Sequence, residues 1–99
     1  MPKYHLSNKA VDDLSEIWEY TYDEWSERQA DKYYNYLLST CQELAENPNA
    51  GKKYTEIGTT IFGYLSNKQI IFYQIVSKNE IEISRFLHGS MDLKNRIQE

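Results

Sequence analysis

Two long runs of helical periodicity meet at Ser26, and that junction restricts the chain more than any other feature. Upstream, Ala10, Val11, Leu14, Ile17, Trp18, Tyr22 and Trp25 mostly fall in steps of three and four, the spacing of an amphipathic helix. Ser7 stands where a cap for that helix belongs. Downstream, Ala30, Tyr33, Tyr34, Leu37, Leu38, Cys41, Leu44 and Ala45 repeat the period as far as Asn47-Pro48-Asn49. Pro48 disfavours helical geometry in the residue before it, so the run ends there. Ser26 and Gln29 have the spacing of a capping box, which starts the second helix at once. So short a connection forces antiparallel neighbours. The first half therefore predicts a helical hairpin whose aromatic stripes face each other or jointly cover another layer, with Trp18 as a core residue and Trp25 part-exposed near the tip.

The second half supplies that layer. Lys52 to Glu56 reads as a polar loop. Ile57 to Leu65, Gln69 to Val76 and Glu80 to His88 then have the β-branched and aromatic enrichment of strands. Ser66-Asn67-Lys68 and Ser77-Lys78-Asn79 separate them as tight turns, asparagine being tolerant of positive φ. The middle strand is apolar at both parities, as suits a covered central strand. The last alternates, placing Ile81, Ile83, Arg85 and Leu87 on one side and Glu82, Ser84, Phe86 and His88 on the other. With Lys3 to Leu6 as an extended start and a short helix capped by Ser90, the expected order is β-α-α-β-β-β-α. The fold class is α+β, a helical hairpin packed on a small antiparallel sheet, in one domain spanning 1–99.

Charge and composition narrow the function. The net charge of −4 divides unevenly: residues 1–47 carry −6 and residues 48–99 carry +2. Non-specific nucleic-acid affinity rests on concentrated Lys and Arg, so direct nucleic-acid binding is not expected. A single cysteine, Cys41, on an apolar stripe reads as a small core residue in a reducing cytoplasm. The apolar run Ile70 to Val76 is far short of a bilayer span, so no membrane association is expected. The only histidines are His5 and His88, too few for a metal cluster. There is no glycine-rich phosphate loop and no serine in a nucleophile elbow. No metal or other cofactor is expected.

The strings YHLSNKAVDDLSEIWEYTYDEWSERQADKYY, LAENPNAG, IIFYQI and ISRFLHGSMD, in this order, resemble the ParE branch of the RelE/ParE toxin superfamily over nearly the whole chain. The resemblance implies the toxin of a type II toxin–antitoxin module of the plasmid-stabilisation kind. It would be held inactive in a hetero-oligomer by a ParD-like antitoxin, and it would poison DNA gyrase when free. It further implies an antitoxin landing site between hairpin and sheet. The rims assigned to that site by side-chain type are Tyr20, Tyr22, Tyr33, Phe62 and Tyr64. Arg85, His88, Met91, Lys94 and Arg96 are the residues assigned to the target. The chain departs from the family pattern at Phe62, Gln69 and Gln74, where many relatives carry cationic residues.

RelE-type relatives cleave messenger RNA on the ribosome, and that chemistry is the alternative. It needs an acid–base pair and cations around the scissile phosphate, and His88, Arg85, Lys68, Tyr73 and Tyr64 are the candidates. Arg85 and His88 lie three apart on a strand, so alternation separates them unless a bulge intervenes. Each residue also has a structural reading. His88 can satisfy backbone groups at a strand end, Arg85 can pair with an acid of the hairpin, and Asp92 suits a first helical turn. The acidic series Asp12, Asp13, Glu16 and Glu19 reads as a solvated helix face, with a basic partner as the alternative. Binding without a catalytic residue is the expected mode of action.

Overall fold

The computed structural model describes residues 1–88; the expected C-terminal helix, with Met91, Lys94 and Arg96, lies outside the described residues. Helix α1 spans Asn8–Glu24 and α2 spans Glu27–Glu46. Ser7 caps α1, its Oγ accepting from the Ala10 amide at 3.1 Å, and Ser26 caps α2 by accepting from the Gln29 amide at 3.1 Å. Each cap satisfies one of the amides that a helix start leaves without an internal partner. A single 3-10 turn, Pro48–Ala50, follows α2.

The strands are β1 (Lys3–Leu6), β2 (Lys52–Lys53), β3 (Phe62–Ser66), β4 (Gln69–Ser77) and β5 (Glu80–His88). They form one mixed five-stranded sheet in the order β1-β5-β4-β3-β2. The expected antiparallel meander is present as β3-β4-β5, and Asn67 in its first turn has φ 60°. Two additions correct the sequence reading. Strand β1 joins β5 in parallel, and Lys52–Lys53, expected as loop, pairs with Phe62 and Gly63. Neither pairing leaves a periodic signal, because strands of four and two residues are too short to carry one.

The segment 57–61, expected as strand, instead folds back in a tight loop in which Ile57 and Gly58 amides bond to the Tyr54 carbonyl. It serves the second face of the sheet. Strand β4 is apolar at both parities, so Ile71 and Tyr73 pack under the helices while Ile70 and Phe72 face away. Ile61, Tyr54 and Ile57 cover Ile70, Phe72 and Leu87 there. The helix-side core holds Leu37, Cys41, Leu44, Ile71, Tyr73, Ile81, Ile83 and Phe86. Each leucine, isoleucine and phenylalanine among them contributes roughly 1.5–3 kcal/mol relative to exposure.

Strand β5 does not alternate throughout. Phe72 pairs with Arg85, but its neighbour Tyr73 pairs with Ile83, so Ser84 is an extra residue opposite neither. This bulge changes the parity of everything after it: Phe86, not Leu87, turns to the helices. The hydroxyl of Ser7 donates to the Ser84 carbonyl at 2.8 Å, joining the start of α1 to the bulge. On the hairpin, Val11 is exposed and Trp18 only half-buried, correcting their placement in the core. Trp18 Nε1 donates to Asp31 Oδ1 at 2.9 Å and its ring stacks on Tyr22, bridging the two helices at the surface.

Candidate functional site

Asp13, on the helix face expected to be solvated, is only 7% exposed. It lies with Ala10, Leu14 and Thr21 on the inward side of α1, where i, i+3, i+4 spacing puts all of them. Its Oδ2 accepts from Arg85 Nε at 2.8 Å and from the Phe86 amide at 3.0 Å, and its Oδ1 accepts from Arg85 Nη2 at 3.0 Å. The fork geometry of guanidinium on carboxylate is the strong form of an ion pair. The signal for this residue was present in the sequence as a polar side chain at an inward helical position, with one arginine in the strands to receive it.

Beside this pair a groove of about 790 Å³ opens between the C-terminal half of α1, the start of α2 and the β3–β4 turn with the end of β5. One wall is helical: Glu16, Tyr20 and Glu24 follow each other along α1, with Trp25 and Gln29 at the hairpin tip. The other wall is Lys68, Gln69, Arg85 and His88, and Ile17, Tyr33 and Phe86 lie between. Trp25 is 76% and Tyr20 67% exposed, so the groove is lipped by two open aromatic side chains. Burial pushes the Tyr33 hydroxyl above the ordinary tyrosine value, and a hydrogen bond to Gln69 offsets part of the rise.

The expected opposition of Arg85 and His88 does not hold. The Ser84 bulge lies upstream of both, but Arg85 reaches back to Asp13 on the helix side while His88 shares the side of Phe86. Lys68, Arg85 and His88 therefore border one groove. Of the five rim residues, Tyr20 and Tyr33 line it. Tyr22 stacks on Trp18 on the outside of the hairpin, Phe62 stacks on Tyr73, and Tyr64 borders a separate shallow depression against Thr40 and Leu44. The sequence reading missed Asp13, Glu16, Glu24 and Gln29 as groove residues, because helical periodicity marks an apolar stripe and not the polar flank beside it.

Among the described residues no three metal-ligating side chains converge, and no helix is long and apolar enough to cross a membrane. The class defined by this geometry is a small α+β protein in which a helical hairpin on a mixed sheet presents one aromatic-lipped groove. The fold is that of a solved chain from the chromosomal ParDE toxin–antitoxin system of Pseudomonas aeruginosa, at TM-score 0.74 and 18% identity over 89% of this chain and 96% of that one.

The pattern of the ParE toxin of type II toxin–antitoxin systems, parDE, matches residues 4–93, and the chain belongs to that family. Toxin ParE1 of Mycobacterium tuberculosis is 32% identical over 95 residues, covering 96% of this chain and 97% of the relative. Toxin ParE1 of Caulobacter vibrioides is 32% identical over 94 residues, covering 95% and 96%. The chain is thus a ParE-type toxin of a type II toxin–antitoxin system.

Proposed function

We propose that this toxin acts in the cytoplasm by binding its target, DNA gyrase, rather than by catalysis, and that a ParD-like antitoxin neutralises it by seating an amphipathic helix in the groove. The observation that carries the non-catalytic reading is the Asp13–Arg85 fork. A cation that stabilises a phosphate in the transition state must direct its donors at the reacting group. Arg85 instead directs Nε and one Nη at Asp13. Support for a docked helix comes from Tyr20 and Trp25, because exposed aromatic side chains around a groove are the anchors such interfaces use. Met91, Lys94 and Arg96 remain the proposed target contacts.

Supercoiling by purified gyrase, titrated with the purified toxin, tests this directly: loss of supercoiling that is restored by the antitoxin encoded beside the toxin is the expected result. The second reading, a ribosome-dependent ribonuclease, is favoured by one observation, the convergence of Lys68, Arg85 and His88 on the groove. Primer extension on translated messenger RNA separates the two. Cleavage in the ribosomal A-site with supercoiling untouched would sink the gyrase reading.

A further inference from the structure

The groove is asymmetric in charge. Along the α1 wall, Glu16 and Glu24 flank Tyr20 and are eight residues apart, about 12 Å at the helical rise. Neither forms an ion pair among the described residues, and Asp13, the third acid of this wall, is satisfied by Arg85 and Phe86. From Glu16 to Glu24 helix α1 carries four acidic residues and no basic one. The facing wall has Lys68 at its rim. An occupant of this groove therefore meets two carboxylates that pair with no described residue on one side, with an exposed tyrosine between them and Trp25 beyond.

We infer that the segment filling this groove is a cationic amphipathic helix, with Lys or Arg at two positions seven or eight residues apart against Glu16 and Glu24, and apolar residues between them against Tyr20 and Ile17. The inference rests on the proposal that the groove is a helix-docking site and adds the chemistry of what docks. An acidic or neutral helix laid on α1 would strip solvent from two carboxylates without replacing it, and like charges at such distances repel. A helix with cations at that spacing replaces the lost hydration with charge-assisted hydrogen bonds. A seven- or eight-residue interval on the partner returns to the same face after two turns, so both cations reach the α1 wall from one register.

The test uses the whole chain and a displayed library of helical peptides of about 18 residues, long enough to hold helical structure, with a fixed apolar stripe and Lys, Gln or Glu at every polar position. Selected peptides are expected to carry Lys seven or eight positions apart. Their affinity for the Glu16→Lys/Glu24→Lys variant is expected to fall at least tenfold, and Lys→Glu changes in the peptide should restore it. Asp12→Lys/Glu19→Lys, acids of the same helix that do not line the groove, should leave affinity within about twofold of wild type, since rim charges away from contact are worth little. Both pairs are exposed, so matching thermal melts establish that the variants fold. Selection of peptides with Glu at those positions, or affinity unmoved by the Glu16/Glu24 reversal, overturns the charge inference while the groove remains a docking site. Peptides that bind equally well to a Tyr20→Ala/Trp25→Ala variant, or no selected peptide at all, overturn the docking site itself and with it the seating of the antitoxin proposed above.

Discussion

Asp13 accepts three hydrogen bonds from two residues of β5, so one carboxylate holds the helix, the guanidinium and a strand amide together. Removing it leaves Arg85, with its side chain 12% exposed, as a charge without its main counterion. Breaking one side of a buried pair costs about 3–5 kcal/mol, and Asp13→Ala is expected to fall in that range by denaturant unfolding. Asp13→Asn keeps one acceptor oxygen and should cost less. Cys41 belongs to the same scale. Burial raises its thiol to about 12, so it stays protonated and shielded in the folded chain. Alkylation by iodoacetamide at pH 8.5 should be negligible until denaturant exposes it. A thiol whose folded pKa lies above its unfolded value stabilises the fold fully below the unfolded pKa. That contribution is lost as pH rises from about 9 toward 12, so the unfolding midpoint should decline over that window.

Between elements, Tyr73 of β4 holds the connection that leaves α2. Its hydroxyl donates to the Pro48 carbonyl at 2.6 Å and accepts from the Gly51 amide at 3.0 Å. Tyr73→Phe keeps the ring, its packing in the core and its stacking on Phe62, but orphans both backbone groups. A loss of about 1–3 kcal/mol is expected from thermal or chemical melts, with the fold intact by circular dichroism. The loop Tyr54–Ile61 depends on Gly63 of β3 in a comparable way, because a Cβ there would come within 2.4 Å of the Tyr54 ring. Strand β5 shows where pattern reading ends. Its boundaries, Glu80 and His88, agree with the sequence expectation, but the faces after Ser84 do not. Alternation is a local rule, and a bulge changes it by one residue for reasons that lie in Asp13 and Ser7, more than seventy residues earlier in the chain.

At the scale of the whole molecule, the sheet order puts β1 beside β5, and His5 Nε2 meets the Glu80 carboxylate across that junction. Strand β1 thus joins the beginning of β5, whereas the groove lies at the other end of that strand, where the hairpin tip stands over the β3–β4 turn and His88. Stability and binding should separate cleanly there. Tyr20 and Trp25 are so exposed that Tyr20→Ala/Trp25→Ala is expected to change unfolding free energy by less than about 1 kcal/mol. The same double substitution should weaken antitoxin binding by about 2 kcal/mol or more, measured by titration calorimetry, as truncation of central aromatic anchors does.

The amino-acid sequence by itself determined the helical hairpin, through two periodic runs and the Ser26 cap, and strands β4 and β5 with the second half of the expected β3, through β-branched content and an asparagine turn. It also carried the family resemblance, because that depends on the order of local strings. Only the tertiary structure decided that Lys3–Leu6 pairs in parallel with the last strand, that residues 57–61 cover the second face, and that Asp13 turns inward to Arg85. It also decided that Lys68, Arg85 and His88 border one groove. These features share a physical cause. Periodicity and capping are energies between residues a few positions apart, whereas a parallel pairing, a bulge or a buried ion pair is stabilised by partners that only the folded chain brings together.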